Sequence, residues 1–157
     1  MLSKIERGRA SPTATVLGRL AEGLKVSISQ LVGGPAASAR CRAVLMRAKD
    51  QPVFRVATSG FERRSLSPVG GSRAVDLVVN ILPPSQSSGD FPPHRSGVEE
   101  TLAVSTGRLR LVLDAQKIDL KPGDAVTYRA DVRHRFDNPS ATETAVFYIV
   151  VDSTRSV

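Results

Sequence analysis

Pro122-Gly123-Asp124-Ala125-Val126-Thr127-Tyr128-Arg129, followed at 134–138 by His-Arg-Phe-Asp-Asn, is the stretch on which the fold reading turns. Pro-Gly-Asp is turn chemistry: proline presets φ, glycine accepts a positive φ, and aspartate bonds back to the local backbone. The turn launches a short apolar run, Ala125 to Tyr128, of strand length. Working outward, similar runs recur between turn signals: Ala43 to Arg47, Val53 to Ala57, Ala74 to Leu82, Leu102 to Val104, Leu109 to Leu113 and Ala145 to Val151. Many short strands at regular spacing imply a sandwich or a barrel. Arg108-Leu109-Arg110-Leu111 alternates as a strand with one wet and one dry face does. No long helix is expected after residue 40.

A second block lies upstream: Pro93-His94-Arg95-Ser96, then Glu100 and, seven residues later, Gly107. The two blocks resemble the paired motifs of the cupin family. In that family the first motif is a His-x-His with a glutamate and a glycine after it, and the second is a glycine, a histidine and an asparagine. The resemblance covers roughly residues 75 to 151 and implies a mainly β protein, a small jelly-roll barrel whose motifs line a pocket. In metal-binding cupins three histidines and one glutamate hold a divalent ion. Carried over residue by residue, the pattern keeps His94, Glu100 and His134, and has Ser96 where the second histidine stands. A hydroxyl is a poor ligand for a divalent ion at neutral pH. What survives is two histidines and one carboxylate, a facial triad with open positions suited to Zn, Fe, Mn or Ni.

The bland reading of the same residues is that a histidine near a strand end is usually a surface or hydrogen-bonded group, and Glu99 beside Glu100 a solvated pair. Against it, the chain has only two histidines and both fall on ligand positions. A metal-free pocket is the other option, in which His94, Ser96, Glu100, Arg129, His134 and Phe136 meet an organic ligand. Arg129 stands where the family has proline, and Asp131 where it has glycine. Arg129, Arg133 and Arg135 would favour an anion if they faced the pocket, although alternate residues of a strand face opposite ways.

The N-terminal thirty residues have a different texture. Leu2 and Ile5 share a helical face, Gly8 suits a helix stop, and Pro12 marks an irregular stretch. Thr13 is a candidate cap for a helix whose stripe is Val16, Leu17, Leu20, Ala21 and Leu24. Ser27 with Gln30 is a capping-box pair before a short third helix. The string LSKIERGRASPTATVLGRLAEGLKVSISQL resembles the third to fifth helices of the XRE-type, lambda-repressor-like, helix-turn-helix family. That implies a DNA reader. Ser3, Lys4, Arg7 and Arg9 then belong to the later part of the recognition helix and its exit, where contacts go to phosphate more than to base edges. Starting at Met1, the chain is expected to bind DNA weakly or not at all.

The expected organisation is a partial all-α reader over 1–34, a breaker-rich linker over 35–42 and a cupin barrel over 43–157. The chain is 157 residues long with a net charge of +7, most of it from Arg, which suits phosphate contact. A lone cysteine, Cys41, excludes an internal disulfide, and no apolar run is long enough to span a membrane or serve as a signal peptide. A cytoplasmic protein is expected. Three functions follow from the resemblances. The first is a homodimeric transcriptional regulator whose cupin domain senses a small-molecule effector and biases operator binding. The second is a metal-dependent dioxygenase or isomerase using His94, Glu100 and His134, and the third a DNA-free dimeric ligand-binding cupin. The first accounts for both halves of the chain, so no catalytic residue is assigned.

Overall fold

The computed structural model describes residues 14–24, 26, 31, 43–68 and 74–155. Among the described residues, an α-helix, α1 (Ala14–Gly23), and a 3-10 turn (Ala48–Asp50) accompany nine strands. These are β1 (Val53–Arg55), β2 (Glu62–Ser65), β3 (Val75–Leu82), β4 (Glu99–Thr106), β5 (Leu109–Leu113), β6 (Gln116–Leu120), β7 (Ala125–Arg129), β8 (His134–Asp137) and β9 (Ala145–Asp152). A six-stranded antiparallel sheet runs β1-β2-β3-β9-β4-β7, and a three-stranded one runs β6-β5-β8. Isolated bridges Ser87↔Asp137 and Phe91↔His134 lay the 87–91 segment along the free side of β8. This is the mainly β, two-sheet architecture that the cupin resemblance implied.

The alternation of side chains decides what the sheets enclose. On β3, Val78, Asn80 and Leu82 are buried, and on β4 Glu100, Leu102 and Val104 are. Phe61, Phe91, Phe136 and Phe147 form an aromatic chain through the interior, with neighbouring ring centroids 5.0–6.2 Å apart. Gly107 closes the β4–β5 turn at φ +73, with its Cα pressed against Thr144 and Ala145 so that a Cβ would lie 2.8 Å from Ala145 Cα. The motif asparagine, Asn138, is a staple. Its Nδ2 donates to the carbonyls of Leu82, Pro83 and Glu143 at 2.8–3.1 Å, and its Oδ1 accepts from Ser140 N.

Three strands, β2, β6 and β8, were not expected, because their short charged runs (Glu-Arg-Arg-Ser in β2) carry no apolar stretch. Conversely, the expected strand over 43–47 is irregular and mostly exposed. Among the described residues no partner strand lies beside it, and periodicity alone does not make a ladder. The expected helix over 13–24 is present as α1, with Leu17 and Ala21 buried in the same apolar cluster as the barrel. Leu24, expected in that stripe, is 61% exposed. The face turned inward is Leu17-Gly18-Ala21, and it lies on the barrel's own Asp90–Pro92 segment. A Cβ on Gly18 would come within 2.6 Å of the Pro92 ring, and Thr15 Oγ1 donates to Asp90 O at 2.9 Å.

Candidate functional site

His134 opens β8 and is 1% exposed. Its Nδ1 lies 3.0 Å from Val132 O, and since a carbonyl can only accept, Nδ1 carries the hydrogen. Nε2 is therefore an unprotonated lone pair, and among the described residues it has no hydrogen-bond partner. Burial lowers the His134 pKa and keeps the ring neutral. Phe91 stacks on one side of the ring at 5.5 Å and 11°, and the His94 ring sits 5.5 Å away at 26°. His94 is brought there by the 92–94 segment, whose backbone is tied by His94 N to Ala130 O at 2.8 Å.

Glu100 points inward from β4 and is fully buried. Tyr128, its cross-strand partner on β7, donates a short hydrogen bond to Oε2. The other oxygen, Oε1, is 3.3 Å from His94 Nε2 but unaligned for a hydrogen bond, and among the described residues it too has no hydrogen-bond partner. Burial would push the Glu100 pKa up. The imidazoles of His94 and His134 and the charge of Arg63 outweigh it and hold the carboxyl at about 2. The Tyr128 phenol is held well above its ordinary value, by burial first and then by the adjacent carboxylate, so it stays a donor.

One nitrogen or oxygen from each of His94, Glu100 and His134 lies within 4.8 Å of the others. Two buried acceptors, Glu100 Oε1 and His134 Nε2, thus converge without a donor between them. Orphaned acceptors are costly to bury, and a divalent cation at ligand distances of about 2.0–2.2 Å relieves both at once. The Val132 carbonyl on His134 and the Tyr128 hydroxyl on Glu100 are the outer bonds that orient first ligands in metal sites. The donor set fits a divalent ion.

Two further residues share the interior. Arg63 on β2 and Asn80 on β3 are directly opposed across the strand pair, and both face inward. Arg63 Nε donates to Asn80 Oδ1 at 2.8 Å, and its guanidinium lies 4.8 Å from the Phe91 ring centroid. Among the described residues, Arg63 Nη2 and Asn80 Nδ2 have no acceptor. Sequence reading overlooked both. Arg63 sits in the charged string Glu62-Arg63-Arg64, which reads as solvated, and only pairing with β3 decides its parity. The legible signal was Asn80, a polar residue at the core parity of Val78 and Leu82 in an otherwise apolar run.

The structure brings His94, Glu100, His134 and Phe136 together, with Phe136 packed at 65° to the His134 ring. It does not bring Ser96 or Arg129 with them. Ser96 is exposed in a turn, and Arg129 is exposed on the outer face of β7, bonded to Asp131, because Tyr128 takes the inward parity. Arg133 and Arg135 also face outward and reach Asp90 at 3.8 and 3.6 Å. The interior cation is Arg63 instead. Ser3, Lys4, Arg7, Arg9, the capping-box pair Ser27 and Gln30, and Cys41 lie outside the described residues.

Comparison with known proteins bears on both halves. Residues 79–151 match the cupin domain family Cupin_2, and residues 1–31 match the helix-turn-helix family HTH_3. The HTH-type transcriptional regulator SutR of Escherichia coli K12 is 28% identical over 156 residues, 99% of this chain and 80% of that protein. Among solved structures, an HTH_3 family transcriptional regulator from Vibrio cholerae aligns with a TM-score of 0.70 at 25% identity, over 99% of this chain and 80% of that one. The Cupin_2 domain of an XRE family transcriptional regulator from Enterobacter cloacae aligns with a TM-score of 0.56 at 25% identity, over 60% of this chain and 98% of that one. Both resemblances read from the motifs are borne out.

Proposed function

With an XRE-type helix-turn-helix segment and a cupin domain on one chain, we infer that the protein is a DNA-binding transcriptional regulator whose barrel senses a small-molecule effector. One observation carries the sensing half. α1 rests on Asp90–Pro92, and the same segment is bonded to the site, Phe91 N to His134 O at 2.8 Å and Phe91 ring to His134 ring. A ligand that shifts His134 therefore acts one residue away from the helix. It can bias the reader only by binding one helix–barrel arrangement better than another.

In this reading Ser3, Lys4, Arg7 and Arg9 supply phosphate contacts. His94, Glu100 and His134 hold one divalent ion, with Phe136 walling the effector beside it. The ion supplies a Lewis-acidic anchor for a ligand oxygen or nitrogen. The chain pairs as a homodimer through the outer face of the six-stranded sheet, where Val75, Leu77 and Tyr148 are exposed on adjacent β3 and β9. Among the described residues no helix is long and apolar enough to cross a membrane.

Two measurements test this. Elemental analysis of protein purified without added metal is expected to find one divalent ion per chain, lost in His134→Ala. Hydrogen exchange of the full chain with and without Zn²⁺ or Mn²⁺ is expected to change protection across residues 14–23 in the wild type and not in His134→Ala. Unchanged protection of α1 on site occupancy removes the sensor reading. Absence of salt-sensitive binding to duplex DNA from the region upstream of its own gene, even at low ionic strength, favours the DNA-free cupin.

A further inference from the structure

Among the described residues, Arg63 is a buried cation with no anion in direct contact. It is 7% exposed, its Nε is spent on a neutral amide oxygen, and among the described residues no carboxylate pairs with it. Glu100 acts on it through space only, because that carboxylate is already held by Tyr128 and faces the two imidazoles. A water on Nη2 would satisfy one hydrogen bond but would add no anion to a guanidinium that Glu100 meets only through space, and a buried charge without a direct partner costs more than one missing hydrogen bond. Asn80 Nδ2 is a second orphaned donor and is fully buried. Hydrogen-bonded to each other, the two side chains each keep one buried donor unmet among the described residues, which is the chemistry an anion can satisfy. The acceptors Glu100 Oε1 and His134 Nε2 are the complementary pole, and a divalent ion held there would make the interior more positive still and favour an anionic partner.

We propose that Arg63 and Asn80 are the specificity residues of the effector site and that the effector is a small carboxylic acid, its carboxylate accepting from Arg63 Nη2 and Asn80 Nδ2. The inference deepens the sensor reading and rests on it for the word effector. A planar carboxylate suits a guanidinium edge beside an amide, since both offer coplanar N–H groups. The outward arginines 129, 133 and 135 are not needed. Arg63 is kept at a cost to stability because it reads the ligand.

The test uses the full chain and a library of carboxylic acids of up to about six carbons, each beside its neutral amide, with sulfate as the tetrahedral control. Thermal shift selects binders and calorimetry gives Kd. Expected are one or more acids that bind while their amides do not, with affinity weakened about 10- to 100-fold in Arg63→Gln and about tenfold in Asn80→Ala. Arg63→Lys, which keeps the charge and loses the fork, is expected to fall between. Unliganded Arg63→Gln is expected to melt at or above the wild-type temperature, which a merely structural arginine would not allow. Amides binding as well as acids, sulfate binding in their place, Arg63-independent acid binding, or no binder in the library each overturn the proposal. Arg63-dependent acid binding that leaves α1 protection unchanged supports the site and removes the sensor reading instead.

Discussion

Gly18→Ala puts two opposing effects on one residue. In an isolated helix the change is favourable by about 1 kcal/mol, because glycine carries the larger backbone entropy loss. In the docked helix the new Cβ lies 2.6 Å from both Cγ and Cδ of Pro92, more than an ångström inside ordinary contact. Pro92 is a ring fused to its own backbone, between the Asp90 carbonyl that accepts from Thr15 and His94, so it cannot swing aside as a flexible side chain would. Overpacking of this kind costs about 1–3 kcal/mol. The clash therefore outweighs the propensity gain by roughly 1 kcal/mol, a several-fold fall in the docked population. The assay is hydrogen exchange with mass spectrometry, following residues 14–23 and 90–94 separately, together with urea unfolding of the barrel. Protection should fall in both segments while the barrel midpoint stays in place. A variant stabilised by about 1 kcal/mol with unchanged protection would mean that α1 does not rest on Pro92, and the route from His134 to the reader would go with it.

Acid should weaken the barrel in a defined sense. The folded pKa of His134 is depressed by burial, so the unfolded chain binds more protons below about pH 6.5 and stability falls as pH drops from there. Glu100, also depressed in the fold, to about 2, adds a second loss that sets in below its unfolded value of about 4.3 and is complete near pH 2. Urea midpoints from pH 8 to 2.5 should decline over this range, and Glu100→Gln should flatten its lower part; a midpoint that rises on acidification contradicts both assignments. Asn138→Ala strands the Leu82, Pro83 and Glu143 carbonyls and should cost about 2–4 kcal/mol in chemical unfolding, whereas a loss under about 0.5 kcal/mol would show that the staple is redundant. Gly107→Ala demands φ +73 of an L-residue and a clash with the Thr144 carbonyl. It should cost about 2–4 kcal/mol, seen as a lowered melting temperature, and an unchanged one would refute the close approach.

Local and periodic features are written in the amino-acid string. The Pro-Gly-Asp turn, the spacing of His94, Glu100, Gly107, His134 and Asn138, and the amphipathic run from Val16 to Ala21 all state their business within a few residues, because turns, caps and strand parity are short-range matters. The two histidines and the glutamate were legible for the same reason, each riding on a recognisable motif. Which arginine meets the interior was not. Arg63, Arg129, Arg133 and Arg135 are chemically alike in the string, and each one's parity follows from which strand pairs with which and in what register. Pairing β2 with β3 turned Arg63 inward opposite Asn80, and pairing β7 with β4 turned Tyr128 inward and Arg129 out. The seat of α1 on Pro92 was equally invisible, since the ring Gly18 touches lies 74 positions further along the chain. Only the closed barrel brings them together, because burial of an apolar face is settled by the whole chain and not by the segment that carries it.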